Sequence, residues 1–90
     1  IFVVAASPGY PDSPKIGSPI SGLDDFSADT EIFFAGVANS KDGMVTAGGR
    51  VLGVGALGSS LSEAREKAYQ RIKSLFWPGI HYRKDIGLFK

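Results

Sequence analysis

Cysteine is absent from this 90-residue chain, and histidine occurs only once, as His81. Without cysteine the chain forms no disulfide, no thiolate nucleophile and no thiolate zinc site. A single histidine has no second imidazole or thiolate with which to share a metal ion, so we assign His81 neither a metal nor a base role. The sequence therefore predicts no catalytic residue and no metal ligand.

The chain also lacks an excess of charge and a long apolar run. Ten basic side chains stand against nine acidic ones, which gives a formal net charge of +1. This balance provides no broad surface for nucleic acid or for a membrane, so any anion site must be local. The opening apolar run, residues 1–6, is too short for a signal-peptide core or a membrane span. Together with the absence of cysteine, these features lead us to expect a cytoplasmic protein.

The first part of the chain predicts a strand followed by a loop. Residues 1–6 have the composition of a buried strand entered in the middle of a protein. Residues 7–19 contain four prolines and two glycines, which block a helix interior and a central strand and so predict an extended loop. We expect residues 1–90 to form one domain, a fragment of a larger polypeptide.

The middle of the chain predicts an antiparallel sheet. Residues 31–38 are a buried-strand candidate, and a turn at residues 39–43 returns the chain as the second strand of a hairpin. After a further turn, residues 50–57 form a strand in which Gly53 and Gly55 leave room for another backbone to approach closely.

One amphipathic helix is predicted late in the chain. Ser60 and Glu63 have the spacing of a capping box, in which the Ser60 hydroxyl accepts from the Glu63 amide and the Glu63 carboxylate accepts from the Ser60 amide. Glu63 also pairs with Lys67 one turn later. Pro78 is expected to end the helix, because proline cannot continue it. The apolar residues at helical spacing on the predicted core face are Leu61, Ala64, Ala68, Ile72, Leu75 and Phe76.

Gly48-Gly49-Arg50 is the first candidate binding site. The run that it opens lacks the Gly-Lys-Ser/Thr end of a P-loop, and its strand-like character argues against a dinucleotide fingerprint. Residues without a Cβ can turn their amides toward an anion, and a guanidinium beside them can bind phosphate oxygens through two parallel hydrogen bonds. A hairpin turn with a surface arginine gives the same pattern, and spacing alone favours that simpler interpretation.

The second candidate follows the predicted end of the helix. In an extended strand, His81, Arg83 and Asp85 face one side and Tyr82 and Lys84 the other. Arg83 and Asp85 would then orient each other at a site. The alternative is a solvent-facing ion pair, which contributes under about 1 kcal/mol to stability.

A series of short motifs covers almost the whole chain: Val3-Val4-Ala5-Ala6, Gly9-Tyr10-Pro11, Phe33-Phe34-Ala35-Gly36, Asp42-Gly43, Gly48-Gly49-Arg50-Val51-Leu52-Gly53-Val54, Ala56-Leu57-Gly58, Ala68-Tyr69 and His81-Tyr82-Arg83-Lys84-Asp85-Ile86-Gly87. In this order they resemble the C-terminal domain of the phosphoribosylamine-glycine ligase (glycinamide ribonucleotide synthetase) family. The resemblance implies a small α+β domain, with an antiparallel sheet of the rudimentary single-hybrid or barrel-sandwich type and one amphipathic helix near the C-terminus. The elements predicted above agree with that fold.

The resemblance also implies a role in de novo purine biosynthesis. In this ATP-grasp family, ATP and Mg²⁺ (or Mn²⁺) activate glycine as an acyl phosphate, and the amine of 5-phosphoribosylamine attacks it to give glycinamide ribonucleotide. The implied partners are the N-terminal and ATP-grasp domains of the same polypeptide, which hold most of the ATP and metal site. We therefore expect the 90 residues to be inactive on their own.

By the same resemblance, this chain is expected to bind substrate. The expected phosphate contacts are Gly48, Gly49 and Arg50. The residues expected at the edge of the site or between domains are Arg83, Lys84 and Asp85.

Two alternatives to substrate binding stay open. The domain could be a purely structural wedge between other domains. A biotinyl-like carrier module is less favoured, because Lys41 lies in Ser40-Lys41-Asp42 and not in a Met-Lys-Met hairpin tip.

Overall fold

The computed structural model describes residues 1–24, 29–41 and 43–87. The strands are β1 (Phe2–Ala6), β2 (Thr30–Phe34), β3 (Val37–Ser40), β4 (Gly43–Thr46), β5 (Arg50–Ala56) and β6 (His81–Tyr82), and the helix α1 (Leu61–Lys73) lies between β5 and β6 in the sequence. Strands β2, β5, β1 and β6, in that order, form a four-stranded antiparallel sheet, and β3 pairs with β4 in a second sheet. The predicted α+β fold is confirmed. No helix in the described ranges is long and apolar enough to cross a membrane.

The core lies between α1 and one face of the four-stranded sheet. Val3 pairs with Val54 across β1 and β5, and the two side chains are fully buried. Ala68 and Ile72 of α1 are also fully buried and belong to the same apolar cluster. Trp77 closes this cluster after the helix, where it is fully buried and its indole N–H donates to the Ala6 carbonyl oxygen at 3.3 Å. The helix is therefore attached to the sheet by packing, as its predicted amphipathic pattern requires.

Half of the predicted capping box forms. The Ser60 hydroxyl accepts from the Glu63 amide at 3.1 Å, as expected. The Glu63 carboxylate does not return to the Ser60 amide but accepts from the Ser59 hydroxyl at 2.7 Å and lies 3.1 Å from the Lys67 ammonium. These hydrogen bonds, that from Ser59 first, lower the pKa of Glu63. The predicted pairing of Glu63 with Lys67 is confirmed.

The helix ends earlier than predicted. Its last residue is Lys73 and its C-cap is Ser74, so Pro78 does not set the end. The chain leaves the helix because Phe76 exchanges two backbone hydrogen bonds with Ser21, at 2.8 and 3.0 Å.

The predicted core face of the helix is partly wrong. Leu61 and Phe76 are 40% and 58% exposed. Two residues absent from the predicted face, Tyr69 and Arg71, are buried. Arg71 is buried because its guanidinium donates to the Gly22 carbonyl oxygen at 3.0 Å and so holds the backbone at Gly22, before β2, against the helix.

The predicted strand at residues 31–38 divides in two at Ala35 and Gly36. Both of their amides donate to the Val51 carbonyl oxygen, at 2.9 and 3.0 Å, and the chain then leaves β2 for the β3–β4 hairpin. In the predicted turn of that hairpin, Asp42 lies outside the described residues. A Cβ on Gly36 would lie 2.6 Å from the Arg50 carbonyl oxygen, so only glycine allows this crossing.

The glycines of β5 make room for aromatic rings and not for another backbone, which corrects the expectation. A Cβ on Gly53 would lie 2.1 Å from the ring of Phe2, and one on Gly55 would lie 3.3 Å from the ring of Phe33. The two rings are 5.6 Å apart between centroids. Aromatic side chains therefore cover the glycines on the face of the sheet that α1 leaves open.

We predict that Gly36→Ala destabilises the chain much more than Gly55→Ala. The new methyl at residue 36 meets backbone atoms at 2.6 and 2.8 Å, whereas at residue 55 it first meets a half-exposed ring that can move. The expected loss in free energy of unfolding is about 2 kcal/mol or more for Gly36→Ala and under about 1 kcal/mol for Gly55→Ala. Urea denaturation of both variants tests this, and equal midpoints would contradict the close crossing.

Candidate functional site

The face of the sheet that α1 leaves open is apolar in its middle and cationic at one end. Phe2 and Phe33 are each 50% exposed on this face. At the cationic end, Ala6 of β1 pairs with Arg50 of β5 on one side and with His81 of β6 on the other. Because paired residues point to the same face, Arg50 and His81 lie in one row across three strands.

A groove of about 340 Å³ lies along this row, and we call it the cationic groove. Its lining includes Phe2, Val4, Tyr10, Arg50, His81 and Arg83. A second groove, of about 580 Å³, adjoins it and shares Tyr10 and Arg50 with it while adding Gly49. Two arginines that belong to motifs far apart in the sequence, Arg50 and Arg83, therefore line one groove.

Ser7 connects the two motifs from beneath the groove. It is fully buried, and its amide donates to the Gly49 carbonyl oxygen at 2.8 Å while its hydroxyl donates to the Gly48 carbonyl oxygen at 2.9 Å. Its own carbonyl oxygen accepts from Nε2 of His81 at 3.0 Å. Because a carbonyl oxygen can only accept, Nε2 carries the proton. Sequence reasoning missed Ser7, since nothing in a proline-rich loop distinguishes one serine from another.

Gly48 and Gly49 are glycines because of close packing. A Cβ on Gly49 would lie 2.3 Å from the Tyr10 ring, and one on Gly48 would lie 3.3 Å from the Cα of Gly36. Neither residue has a positive φ. Their carbonyl oxygens are bonded to Ser7, whereas their amides donate to no acceptor in the described part of the chain. Of the two residues, only Gly49 lines a groove, the second one, so its amide is the one beside a possible ligand.

The two arginines of the groove differ in their partners. The Arg50 guanidinium forms no hydrogen bond or ion pair with any described residue. Arg83 donates from Nε and Nη2 to the two carboxylate oxygens of Asp85, at 3.0 and 2.6 Å, so the predicted pair is present. The hydrogen bonds from Arg83 hold the pKa of Asp85 below its usual value. The pair orients Arg83 and leaves its Nη1 without a partner among residues 1–24, 29–41 and 43–87.

The other predicted residues lie outside both grooves. Gly48, Lys84 and Asp85 line neither of them, although Gly48 and Asp85 are bonded to residues that position the lining. The predicted strand alternation over residues 81–85 is wrong beyond Tyr82, where β6 ends. It stops because side chains of α1 bind the carbonyl oxygens of the following residues, so these no longer pair with β1.

The cationic groove has the donors that a phosphate ester needs. Guanidinium groups bind phosphate oxygens through charged, planar pairs of N–H donors, and backbone amides beside them add neutral donors. A metal centre is a different matter, since no three His, Asp or Glu side chains of the described residues lie close enough together to hold an ion.

The structure thus defines a small α+β domain with one open apolar sheet face and an arginine-lined groove on that face. Comparison with known proteins gives the family. A family model described as "Phosphoribosylglycinamide synthetase, C domain" matches residues 1–89. The chain belongs to this family.

Individual relatives agree with that assignment. The chain is 51% identical over 89 residues to a phosphoribosylamine--glycine ligase of Caulobacter vibrioides, a match that covers 97% of this chain and 21% of the relative. It is 46% identical over 87 residues to the enzyme of that name from Rhizobium meliloti, with the same coverage. A crystal structure of phosphoribosylamine--glycine ligase from Thermotoga maritima superposes with a TM-score of 0.79 at 42% identity, over 93% of this chain and 20% of that one. The chain thus spans about a fifth of the length of these relatives.

We predict that Ser7→Ala destabilises the chain, because it removes the buried hydroxyl that binds the Gly48 carbonyl oxygen. The expected loss in free energy of unfolding is about 1 to 2 kcal/mol, since a bonded group is left buried without its partner. Ser13→Ala is the matched control, because Ser13 is exposed in the same loop and its hydroxyl binds no described residue. Denaturation curves for the two variants that coincide would contradict the role assigned to Ser7.

Proposed function

We propose that this chain is the C-terminal domain of a longer polypeptide, an ATP-dependent ligase that joins glycine to 5-phosphoribosylamine, and that the cationic groove binds the phosphate of 5-phosphoribosylamine. The family and the names of the relatives support the reaction. ATP and Mg²⁺ (or Mn²⁺) are assigned mainly to the other domains of that polypeptide. The isolated chain is then inactive.

The observation that carries the substrate contact is the convergence of Arg50 and Arg83 on one groove. An arginine that forms no ion pair, Arg50, faces a second arginine whose orientation is fixed by a carboxylate. Gly49, whose amide has no acceptor in the described residues, directly precedes Arg50 and lines the adjoining groove. Charged and neutral donors together match the oxygens of a phosphate monoester, which is the charged group of 5-phosphoribosylamine.

In this proposal the chain binds and orients the substrate and takes no part in the covalent step. The amine nitrogen of 5-phosphoribosylamine attacks the acyl carbon of the activated glycine, a C–N bond forms, the acyl C–O bond breaks, and phosphate leaves as the amine loses a proton. Arg50 and Arg83 hold the far end of the molecule while this occurs. Holding a nucleophile in place raises its effective concentration at the reacting carbon.

The structural alternative, an interdomain wedge, is favoured by a separate observation on the same face. Phe2 and Phe33 are each 50% exposed and Leu57 is 76% exposed, and together they line one further groove, which we call the aromatic patch. A contiguous apolar surface of this kind marks an interface with another folded surface. We propose that the N-terminal and ATP-grasp domains of the same polypeptide cover it, which is supported by the much greater length of the relatives. The two roles are compatible, because the aromatic patch and the cationic groove adjoin each other.

We predict that Arg50→Met, in the complete ligase that carries this domain, raises the KM for 5-phosphoribosylamine about tenfold or more, the usual effect of removing a charged hydrogen-bond donor. The KM values for ATP and glycine should stay unchanged. Lys73→Met is the charge-matched control, because Lys73 is exposed on α1 and lines neither groove. Steady-state kinetics measure all of these constants, and an unchanged KM for 5-phosphoribosylamine in Arg50→Met would overturn the phosphate contact.

We also predict that Phe2 and Phe33 are protected in the complete ligase. In hydroxyl-radical footprinting their oxidation rates should be several-fold lower than in the 90-residue chain alone. Phe76 serves as the internal reference, because it is 58% exposed and lines neither of the two grooves on the sheet. Equal rates for Phe2 and Phe33 in the two proteins would exclude an interface on this face.

A further inference from the structure

Two side chains of α1 hold the backbone of residues 83–86. Arg65 donates from Nε to the Ile86 carbonyl oxygen at 3.1 Å and from Nη2 to the Lys84 carbonyl oxygen at 2.5 Å. The Tyr69 hydroxyl donates to the Arg83 carbonyl oxygen at 2.5 Å and accepts from the Ile86 amide at 3.2 Å. These four hydrogen bonds fix the segment from beginning to end, and we call Arg65 and Tyr69 the helix clamp.

The helix clamp is itself rigid. Arg65 and Tyr69 are one helical turn apart, so both project from the same side of α1. The Arg65 guanidinium lies 4.7 Å from the centroid of the Tyr69 ring, which packs against the ring of Tyr82 at 6.0 Å. Tyr69 is only 8% exposed. No described carboxylate pairs with Arg65, so its donors are committed to backbone carbonyl oxygens.

Apart from the side chain of Ile86, which packs against the core, few other contacts tie residues 83–86 to the domain. Strand β6 consists of His81 and Tyr82 alone, and its pairing with β1 ends there. The ion pair of Arg83 with Asp85 joins residues two apart in the same segment, so it orients the guanidinium relative to that segment only. It is also exposed, and such pairs hold a backbone weakly. The hydrogen bonds that hold Arg83 and the residues after it in place relative to Arg50 are therefore those of the helix clamp.

We propose that Arg65 and Tyr69 are positioning residues, which set the distance between the Arg83 and Arg50 guanidinium groups across the cationic groove and thereby the affinity for the phosphorylated substrate. This inference rests on the proposed function. It adds to the site two residues on the far side of the sheet from the groove face, neither of which lines the cationic groove.

Tyr69→Phe in the complete ligase tests the clamp directly. The ring, its packing against Tyr82 and its contact with Arg65 are retained, and only the hydroxyl is lost. We expect the Ile86 amide to exchange with deuterium about tenfold faster, because its acceptor is gone. The amides of β5 in the core should exchange at the wild-type rate. Unchanged exchange of the Ile86 amide would overturn the clamp.

Kinetics test whether the clamp serves the groove. For Tyr69→Phe and for Arg65→Met we expect the KM for 5-phosphoribosylamine to rise about three- to tenfold, as for the loss of one or two hydrogen bonds. The kcat and the KM values for ATP and glycine should stay within about twofold of wild type, since no group near the reacting atoms changes. Lys73→Met, which removes a charge from the same helix, should match wild type throughout.

A parallel measurement on Arg83→Ala separates the possible failures. If Arg83→Ala raises the KM for 5-phosphoribosylamine and the clamp variants do not, the positioning role is wrong while the phosphate contact stands. If Arg83→Ala leaves that KM unchanged, the contact of Arg83 fails, and the positioning role fails with it. A fall in kcat together with a rise in all three KM values in the clamp variants shows general disruption of the domain and also overturns the positioning role.

Discussion

The buried hydrogen bonds of Ser7 are the constraint on which the open end of the sheet depends. One residue binds the carbonyl oxygens of Gly48 and Gly49 before β5 and accepts from His81 at the start of β6. Each bond contributes only about 1 kcal/mol, but together they fix three segments that are remote in sequence. The register of β1 against β5 shifts between Ala5 and Ala6, next to Ser7. Such a bulge changes the direction in which side chains point. Together with the hydrogen bonds of Ser7, it places Arg50 in the same row as His81.

The two faces of the sheet have different roles in the domain. The face under α1 contains the fully buried Val3 and Val54 and supplies the stability of the fold. The opposite face carries Phe2 over Gly53, an arrangement that protects the strand backbone but leaves half of the ring in solvent. Full burial of a phenylalanine side chain contributes about 1.5 to 3 kcal/mol of hydrophobic free energy. Covering the open face would therefore yield a substantial further stabilisation. This stabilisation favours association of the open face with another surface, and the cationic groove then lies at the edge of the resulting interface.

The features that could be predicted correctly from the sequence are those set by interactions between residues close together in the chain. The spacing of Ser60 and Glu63 located the start of α1, because a side chain three residues away caps a helix whatever surrounds it. The exposure of Phe76 was out of reach, because it follows from backbone pairing with Ser21 that no periodicity records. Arg50 and Arg83 were singled out from two separate motifs. Their presence in one groove depends on strand order, and the roles of Ser7, Arg65 and Tyr69 depend on contacts that form only after the sheet and helix have packed.

The charge of the groove places a limit on how selective this domain can be by itself. Arg50 and Arg83 contribute two positive charges, and Asp85, bonded to Arg83, removes one of them. Asp85 orders Arg83 before any ligand arrives, so Arg83 loses little side-chain entropy on binding, whereas the unpaired Arg50 must still be immobilised. A groove with one net positive charge attracts phosphate groups of many kinds with modest affinity. Under the proposed function, discrimination between 5-phosphoribosylamine and other phosphates therefore requires contacts to the ribose and the amine, and these must come from the surface that covers the aromatic patch.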